Sequence, residues 1–175
     1  VIMVGEIRDE ETASIALRAG LTGHLLLTSV HADSTAGVFT RLAQLKVDLG
    51  QLASASLLVL NQRLAFRNCP QCAETTEPGP QHATVLARLS GPSPNVVGRG
   101  CDACAGTGFA GRVALFEMLR VSGPVRDLIA RGAPSYEIID AARAAGMQTH
   151  HERAQVLARQ GILSLDEVAR VLSLN

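Results

Sequence analysis

The sequence has no surplus of either charge: 16 basic side chains stand against 16 acidic ones, and the net charge at neutral pH is zero. Broad binding to nucleic acid or to an anionic membrane needs clustered excess lysine and arginine. That class is excluded, and any such contact is local. Long apolar runs are missing too, since the longest, such as Leu57 to Leu60, fall far short of the ~20 residues of a spanning helix. No charged leader with an apolar centre and a small-residue cleavage site is seen, so secretion is not indicated. An initiator methionine is also lacking. The chain opens at Val1 inside the run Val1-Ile2-Met3-Val4, which has the length and β-branched content of a fully buried strand. A buried strand at a terminus needs neighbours, so an upstream part is expected. What is present argues for folding: 47% hydrophobic and 18% charged residues do not describe a disordered chain, and 175 residues allow one ordinary core plus a small appendage.

Gly5 to Arg8 reads as a turn, and Asp9, Glu10, Glu11 and Thr12 lead into a helix that Gly20 stops, with carboxylates complementing its positive end. His24 to Val30 reads as a second short strand without alternation, followed by a polar loop and an amphipathic helix from Thr35 to about Leu45. Strands of that kind, separated by helices, predict a parallel sheet covered on both faces. Leu49 to about Asn61 has a helical pattern, and Gln62 to Phe66 closes this half. Between Cys69 and Arg112 lies a loop-rich insert with all four cysteines. Strand character returns over Val113 to Leu119. Helices are expected over Val125–Arg131, Tyr136–Ala145, His151–Arg159 and Leu165–Leu172, the last behind a Ser164/Glu167 capping box. The segments are therefore 1–68, 69–112 and 113–175.

Cys69-Pro-Gln-Cys72 and Cys101-Asp-Ala-Cys104 form two C-x-x-C knuckles 28 residues apart. Each offers two thiolates at a bite suited to tetrahedral zinc, and four sulfurs leave no open position for substrate. The spacer exceeds the usual length, but its extra closure entropy is only ~0.5 kcal/mol, against zinc-binding energies on the order of 10–16 kcal/mol. Two disulfides, four unrelated buried thiols, or a redox role for either knuckle are the alternatives.

Glu6 follows the carboxyl end of the first strand, where open α/β sheets place ligand sites. An apolar strand ending in a carboxylate has the form of a Walker B element, whose acid serves phosphoryl transfer; a solvated loop carboxylate is the other reading. Arg8 suits phosphate neutralisation or a surface pair with Asp9. His31, in the loop after the second strand, shares an edge with Glu6 if the two strands are parallel neighbours. His24 enters that strand and braces the loops. His150-His151 has no third ligand for a metal.

Taken together, VIMVGEIRDEETASIALRAGLTGHLLLTSVHADSTAGVFTRL, NQRLAFRNCPQC and GCDACAGTGFAGRVALFEML closely resemble the C-terminal ATPase domain of the secretion ATPase superfamily, which includes type II secretion protein E and the type IV pilus assembly ATPase. The tail around Gly146-Met147, Gly161 and Ser164 to Val168 is similar to that family's closing helices. The resemblance implies an α/β fold: the C-terminal part of a RecA-like P-loop ATPase core with a four-cysteine zinc insert and a C-terminal helical unit. It implies a hexameric motor on the cytoplasmic face of the inner membrane, using ATP, Mg²⁺ and Zn²⁺. Its implied partners are copies of itself, an inner-membrane platform protein and a cytoplasmic linker protein, with no nucleic acid. Glu6 would be the catalytic Walker B acid, His31, His24 and Arg8 nucleotide-binding residues, and Cys69, Cys72, Cys101 and Cys104 the metal ligands. Retraction ATPases of the pilus system generally lack the tetrad, which favours secretion or assembly. The chain departs from the family in reading Ser29-Val30-His31-Ala32-Asp33-Ser34 where Thr-Leu-His-Thr-Asn-Asp is common. It also has no Gly-x-x-x-x-Gly-Lys-[Ser/Thr], and Lys46 is its only lysine, so the backbone cradle and lysine for the β and γ phosphates are missing from it. A zinc-dependent interaction module without catalysis and a RecA-like motor on nucleic acid are the alternative functions.

Overall fold

The strand, loop and helix expected at the start are present. β1 (Ile2–Glu6) leads to α1 (Glu10–Leu21), where the Asp9 side chain caps by accepting from the Thr12 N–H at 2.8 Å, with Glu10 and Glu11 in the first turn. The computed structural model describes residues 1–89, 91 and 93–173. The segments 69–112 and 113–175 therefore contain positions 90, 92, 174 and 175 that lie outside the described residues. After α1 come β2 (Leu26–Ser29), α2 (Gly37–Gln44), α3 (Leu49–Ala55), β3 (Leu58–Asn68), β4 (Ala73–Thr76), α4 (Ala83–Arg88), β5 (Asn95–Gly98) and β6 (Phe109–Arg120). Four helices finish the chain: α5 (Gly123–Ala130), α6 (Ser135–Ala144), α7 (His150–Arg159) and α8 (Leu165–Leu172). No helix among the described residues is long and apolar enough to cross a membrane.

By packing, the chain divides into two units whose boundaries differ from those of the three sequence segments: 1–61 with 117–147, and 62–116 with 148–175. In the first unit β1 and β2 pair in parallel, as the sequence predicts, with Ile2 opposite Leu26 and Glu6 opposite Ser29. Its core joins Phe39 and Leu42 of α2, Leu52 of α3, Leu119 of β6, and Val125 and Ile129 of α5. In the second unit β4 and β5 pair antiparallel, and Val85, Leu115, Leu157, Leu163, Leu165 and Val168 form the core. Strands β3 and β6 pair with each other.

Several expectations need correction. The opening strand is not fully buried: Val1 is 88% and Met3 83% exposed, because β1 has β2 as its one sheet neighbour. The strand also continues through Gly5 and Glu6, with an irregularity between Val4 and Glu6 where a turn was expected. The helix beginning at Leu49 ends at Ala55, and Leu58 to Asn61 belong to the eleven-residue β3. Pairing with β6 overrides the local helical pattern there, a common outcome when strand partners are distant in sequence. β6 likewise starts at Phe109, four residues before the expected strand. The capping box at Ser164 is half made. Ser164 accepts from the Glu167 N–H, but the Glu167 carboxyl accepts instead from the Phe66 N–H and the Arg170 guanidinium. A complete box forms at α7, between Thr149 and Glu152.

Gly98 and Gly108 bring two stretches of backbone into contact. A Cβ on either would strike the carbonyl of the other, and Gly108 has φ +76°. Gly108→Ala is therefore expected to lower stability by about 2 kcal/mol or more. Gly123→Ala, which meets nothing within 4 Å, should be nearly neutral. Denaturant unfolding of the two variants checks the contrast.

Candidate functional site

Parallel pairing puts the carboxyl ends of β1 and β2 side by side. The Ile7 N–H donates to the Ser29 carbonyl at 3.0 Å, and the Ser29 hydroxyl to the Gly5 carbonyl at 2.6 Å. Glu6 closes β1 at this edge, and its carboxylate accepts from the Arg8 guanidinium at 2.6 Å. That bond is the main reason the Glu6 carboxyl is held below the usual carboxylate range; attraction to the Arg8 charge and, more weakly, to His31 acts in the same direction. A carboxylate with a depressed pKa stays ionised through neutral pH and loses its partner only as acid takes the pH through the lowered value. Arg8 thus pairs with Glu6, whereas Asp9, its expected surface partner, caps α1.

His31 lies two residues beyond Ser29, at the same edge as Glu6. His24 lies at the other end of β2, which is about 13 Å long at ~3.3 Å per residue. Its ring Nδ1 is 3.3 Å from the Thr22 hydroxyl, and its N–H donates to the Ala19 carbonyl. The fold brings Glu6, Arg8 and His31 to one edge and leaves His24 at the opposite one. Sequence reasoning missed a pair behind the His31 loop: the fully buried Thr35 donates its hydroxyl to Oε1 of the buried Glu117 at 2.6 Å and its N–H to the same oxygen at 3.4 Å. The available signal was a carboxyl in phase with Leu115 and Leu119 in an alternating strand, but its partner, 82 residues away, has no local mark.

In the second unit all four cysteines are free thiols, and their sulfurs lie within 4.8 Å of one another. Three Sγ–Sγ separations, Cys69–Cys101, Cys72–Cys104 and Cys101–Cys104, are 3.9, 3.9 and 3.8 Å. Sulfurs at the corners of a tetrahedron with Zn–S bonds of ~2.3 Å are roughly 3.8 Å apart, so the set is compatible with zinc. Backbone donors aim at the sulfurs: the Gly100 N–H at Cys72, and the Cys101 and Gly108 N–H groups at Cys104. The Cys101 N–H bond is the main influence lowering the Cys104 thiol to about 6, while burial pushes Cys72 up to about 11. Two open clefts, of about 420 and 490 Å³, are lined by neither the tetrad nor Glu6, Arg8, His24 or His31.

The family described as type II/IV secretion system protein matches residues 1–170, and the chain belongs to that family. It is similar to the type IV pilus assembly ATPase PilB of Thermus thermophilus, 40% identical over 174 residues, covering 96% of this chain and 19% of the relative. It is also similar to the putative type II secretion system protein E of Escherichia coli K12, 48% identical over 86 residues, covering 49% of this chain and 17% of the relative. The chain thus spans less than a fifth of the length of these relatives. Its fold resembles the X-ray structure of the Legionella pneumophila ATPase DotB, with a TM-score of 0.63 and 24% identity, over 98% of this chain and 38% of that one.

The chain purified under reducing conditions with zinc is expected to carry one ion, and Cys72→Ser to lose most of it. Because Cys72 is protonated at pH 7 and ligand sulfur is thiolate, zinc uptake should release at least one proton per chain. Metal analysis and a weakly buffered indicator titration check both numbers.

Proposed function

We propose that this chain is the C-terminal portion of an ATP-hydrolysing motor subunit that powers type II protein secretion or type IV pilus assembly. The observation that carries this reading is the ionised Glu6 at the carboxyl edge of a parallel strand pair, with His31 within electrostatic reach. Membership of the family and similarity to named secretion and pilus ATPases support it.

Glu6 is the catalytic carboxylate, which activates an attacking water as a general base. His31 donates to the terminal phosphate. Arg8 binds nucleotide phosphate when it leaves Glu6, since a guanidinium pairs with either anion. His24 supports the nucleotide site indirectly, by bracing the end of α1 and the start of β2. Mg²⁺ arriving with ATP would neutralise charge on the phosphates, and Glu6 would hold it through water. Zn²⁺ held by Cys69, Cys72, Cys101 and Cys104 is structural, because four sulfurs complete its tetrahedron. The working assembly is a homohexameric ring at the cytoplasmic face of the inner membrane. It acts on an inner-membrane platform protein and a cytoplasmic linker protein, and not on nucleic acid. As functional segments, 1–68 is the distal half of the RecA-like core, 69–112 the zinc insert and 113–175 the closing strand with the terminal helices.

Without a phosphate-binding lysine loop in its sequence, this polypeptide alone is expected not to turn over ATP; steady-state phosphate release above a Glu6→Gln control overturns that. Grafted in place of the matching segment of Thermus thermophilus PilB, the chain should support hydrolysis. Glu6→Gln in the chimera should lower kcat by roughly 100-fold or more, in line with loss of a general base. A chimera equally active with Gln at position 6 sinks the assignment. The second reading, a zinc-dependent interaction module, rests on the tetrad and predicts that Glu6→Gln changes nothing while zinc removal abolishes partner binding.

A further inference from the structure

The loop that carries His31 is held at two points. At its start, Ser29 is fixed to β1 through the Ile7 N–H and the Gly5 carbonyl. At its end, Thr35 is fully buried and gives both its hydroxyl and its N–H to Oε1 of Glu117 on β6. Residues 30–34 lie between, and within them the Ser34 hydroxyl accepts from the Gly37 N–H at 3.0 Å, shaping the approach to α2. The two anchors differ in kind. Ser29 belongs to the sheet ladder, whereas Glu117 reaches the loop from a strand 82 positions further along the chain. A carboxyl group is an expensive occupant of an apolar core unless its hydrogen bonds are made. Here it lies beside Leu119 and Val121, which are buried in the same core. A core residue needed only for packing would be apolar.

We propose that Glu117 is a positioning residue for His31: by fixing Thr35 it sets the end of the loop and so the distance from the His31 imidazole to Glu6. The proposal rests on the nucleotide reading of Glu6 and His31. Glu117 does not itself touch the reacting atoms. Its contribution is the restriction of a five-residue span, which with Ser29 alone fixed would sample many conformations. Restriction of that kind keeps a catalytic group near its working geometry before the ligand arrives.

The test uses this chain with ¹⁵N-labelled histidine, reading the His31 ring signals and the amide exchange of residues 30–36 without ligand. Thr35→Val is the first variant, because it leaves Glu117 and its other contacts in place. It should shift or broaden the His31 ring signals and speed exchange of the loop roughly tenfold or more, the scale expected for losing a buried hydrogen bond to a carboxyl. Thr35→Ser, which keeps the hydroxyl, should restore the original signals. Glu117→Ala should reproduce the effect from the other partner, and keeps the test decisive if Thr35→Val does not fold. Ile129→Val, a conservative trim of the same core, should lower stability without moving His31. The proposal is overturned if His31 is unchanged in both Thr35→Val and Glu117→Ala, or if Ile129→Val moves it as far. MgATP is then titrated into the unaltered chain linked to the matching upstream segment of PilB. Absence of any His31 shift there overturns the nucleotide reading, and with it the catalytic sense of the clamp, separately from the ligand-free result.

Discussion

Two hydrogen bonds at the end of a two-stranded parallel ladder, Ile7 N–H to Ser29 and Ser29 hydroxyl to Gly5, hold the carboxyl ends of β1 and β2 together. Parallel strands present their carboxyl ends together, so whatever follows β1 and whatever follows β2 share one edge. Glu6, Arg8 and His31 meet there for that reason and no other. An antiparallel pair would put Glu6 beside the residues before β2, which include His24. The irregularity between Val4 and Glu6 matters for the same reason, because a local shift in pairing re-aims the side chain that follows it.

The electrostatics follow from this placement. Glu6 is solvent-accessible and paired with an exposed arginine, so its depressed pKa comes from a hydrogen bond and not from an apolar pocket. A group of this kind is ionised and available at neutral pH, and salt weakens its hold on the arginine. The tetrad works by the opposite physics. Partial burial and aimed N–H groups split the thiols, raising Cys72 and lowering Cys104. One cysteine would therefore be a ready metal ligand near neutral pH, while another would have to release its proton to solvent as an ion bound.

Features set by neighbouring residues were legible in the sequence. The start of α1 behind an acidic stretch, the parallel character of β1 and β2, the grouping of the cysteines and the shared edge of Glu6 and His31 follow from local patterns or from two knuckles of fixed bite. What the sequence hid depends on distant partners. Leu58 to Asn61 look helical in isolation and become strand because β6 is there to pair with them. Glu167 has the spacing of a capping box, yet its carboxyl serves the Phe66 N–H across 101 residues. Glu117 alternates in phase with the inward Leu115 and Leu119, but what it serves there shows only when Thr35 is placed against it. The burial expected for β1 failed for a related reason, since apolar composition records what a strand can pack against and one neighbour covers only part of it.

The tetrad reaches further than its own segment. Cys69 directly follows β3, and its N–H donates to the Gly108 carbonyl at 2.8 Å, one residue before β6 begins. That backbone bond extends the β3–β6 pairing as far as the first knuckle. Register has period two, so a one-residue slip exchanges every inward side chain for an outward one. Along β6 the inward set includes Leu115 in one core and Leu119 in the other, with Glu117 between them. Along β3, Ala65 belongs to the second core and Val59 packs on the first. A slip would expose all of these together and withdraw Glu117 from Thr35.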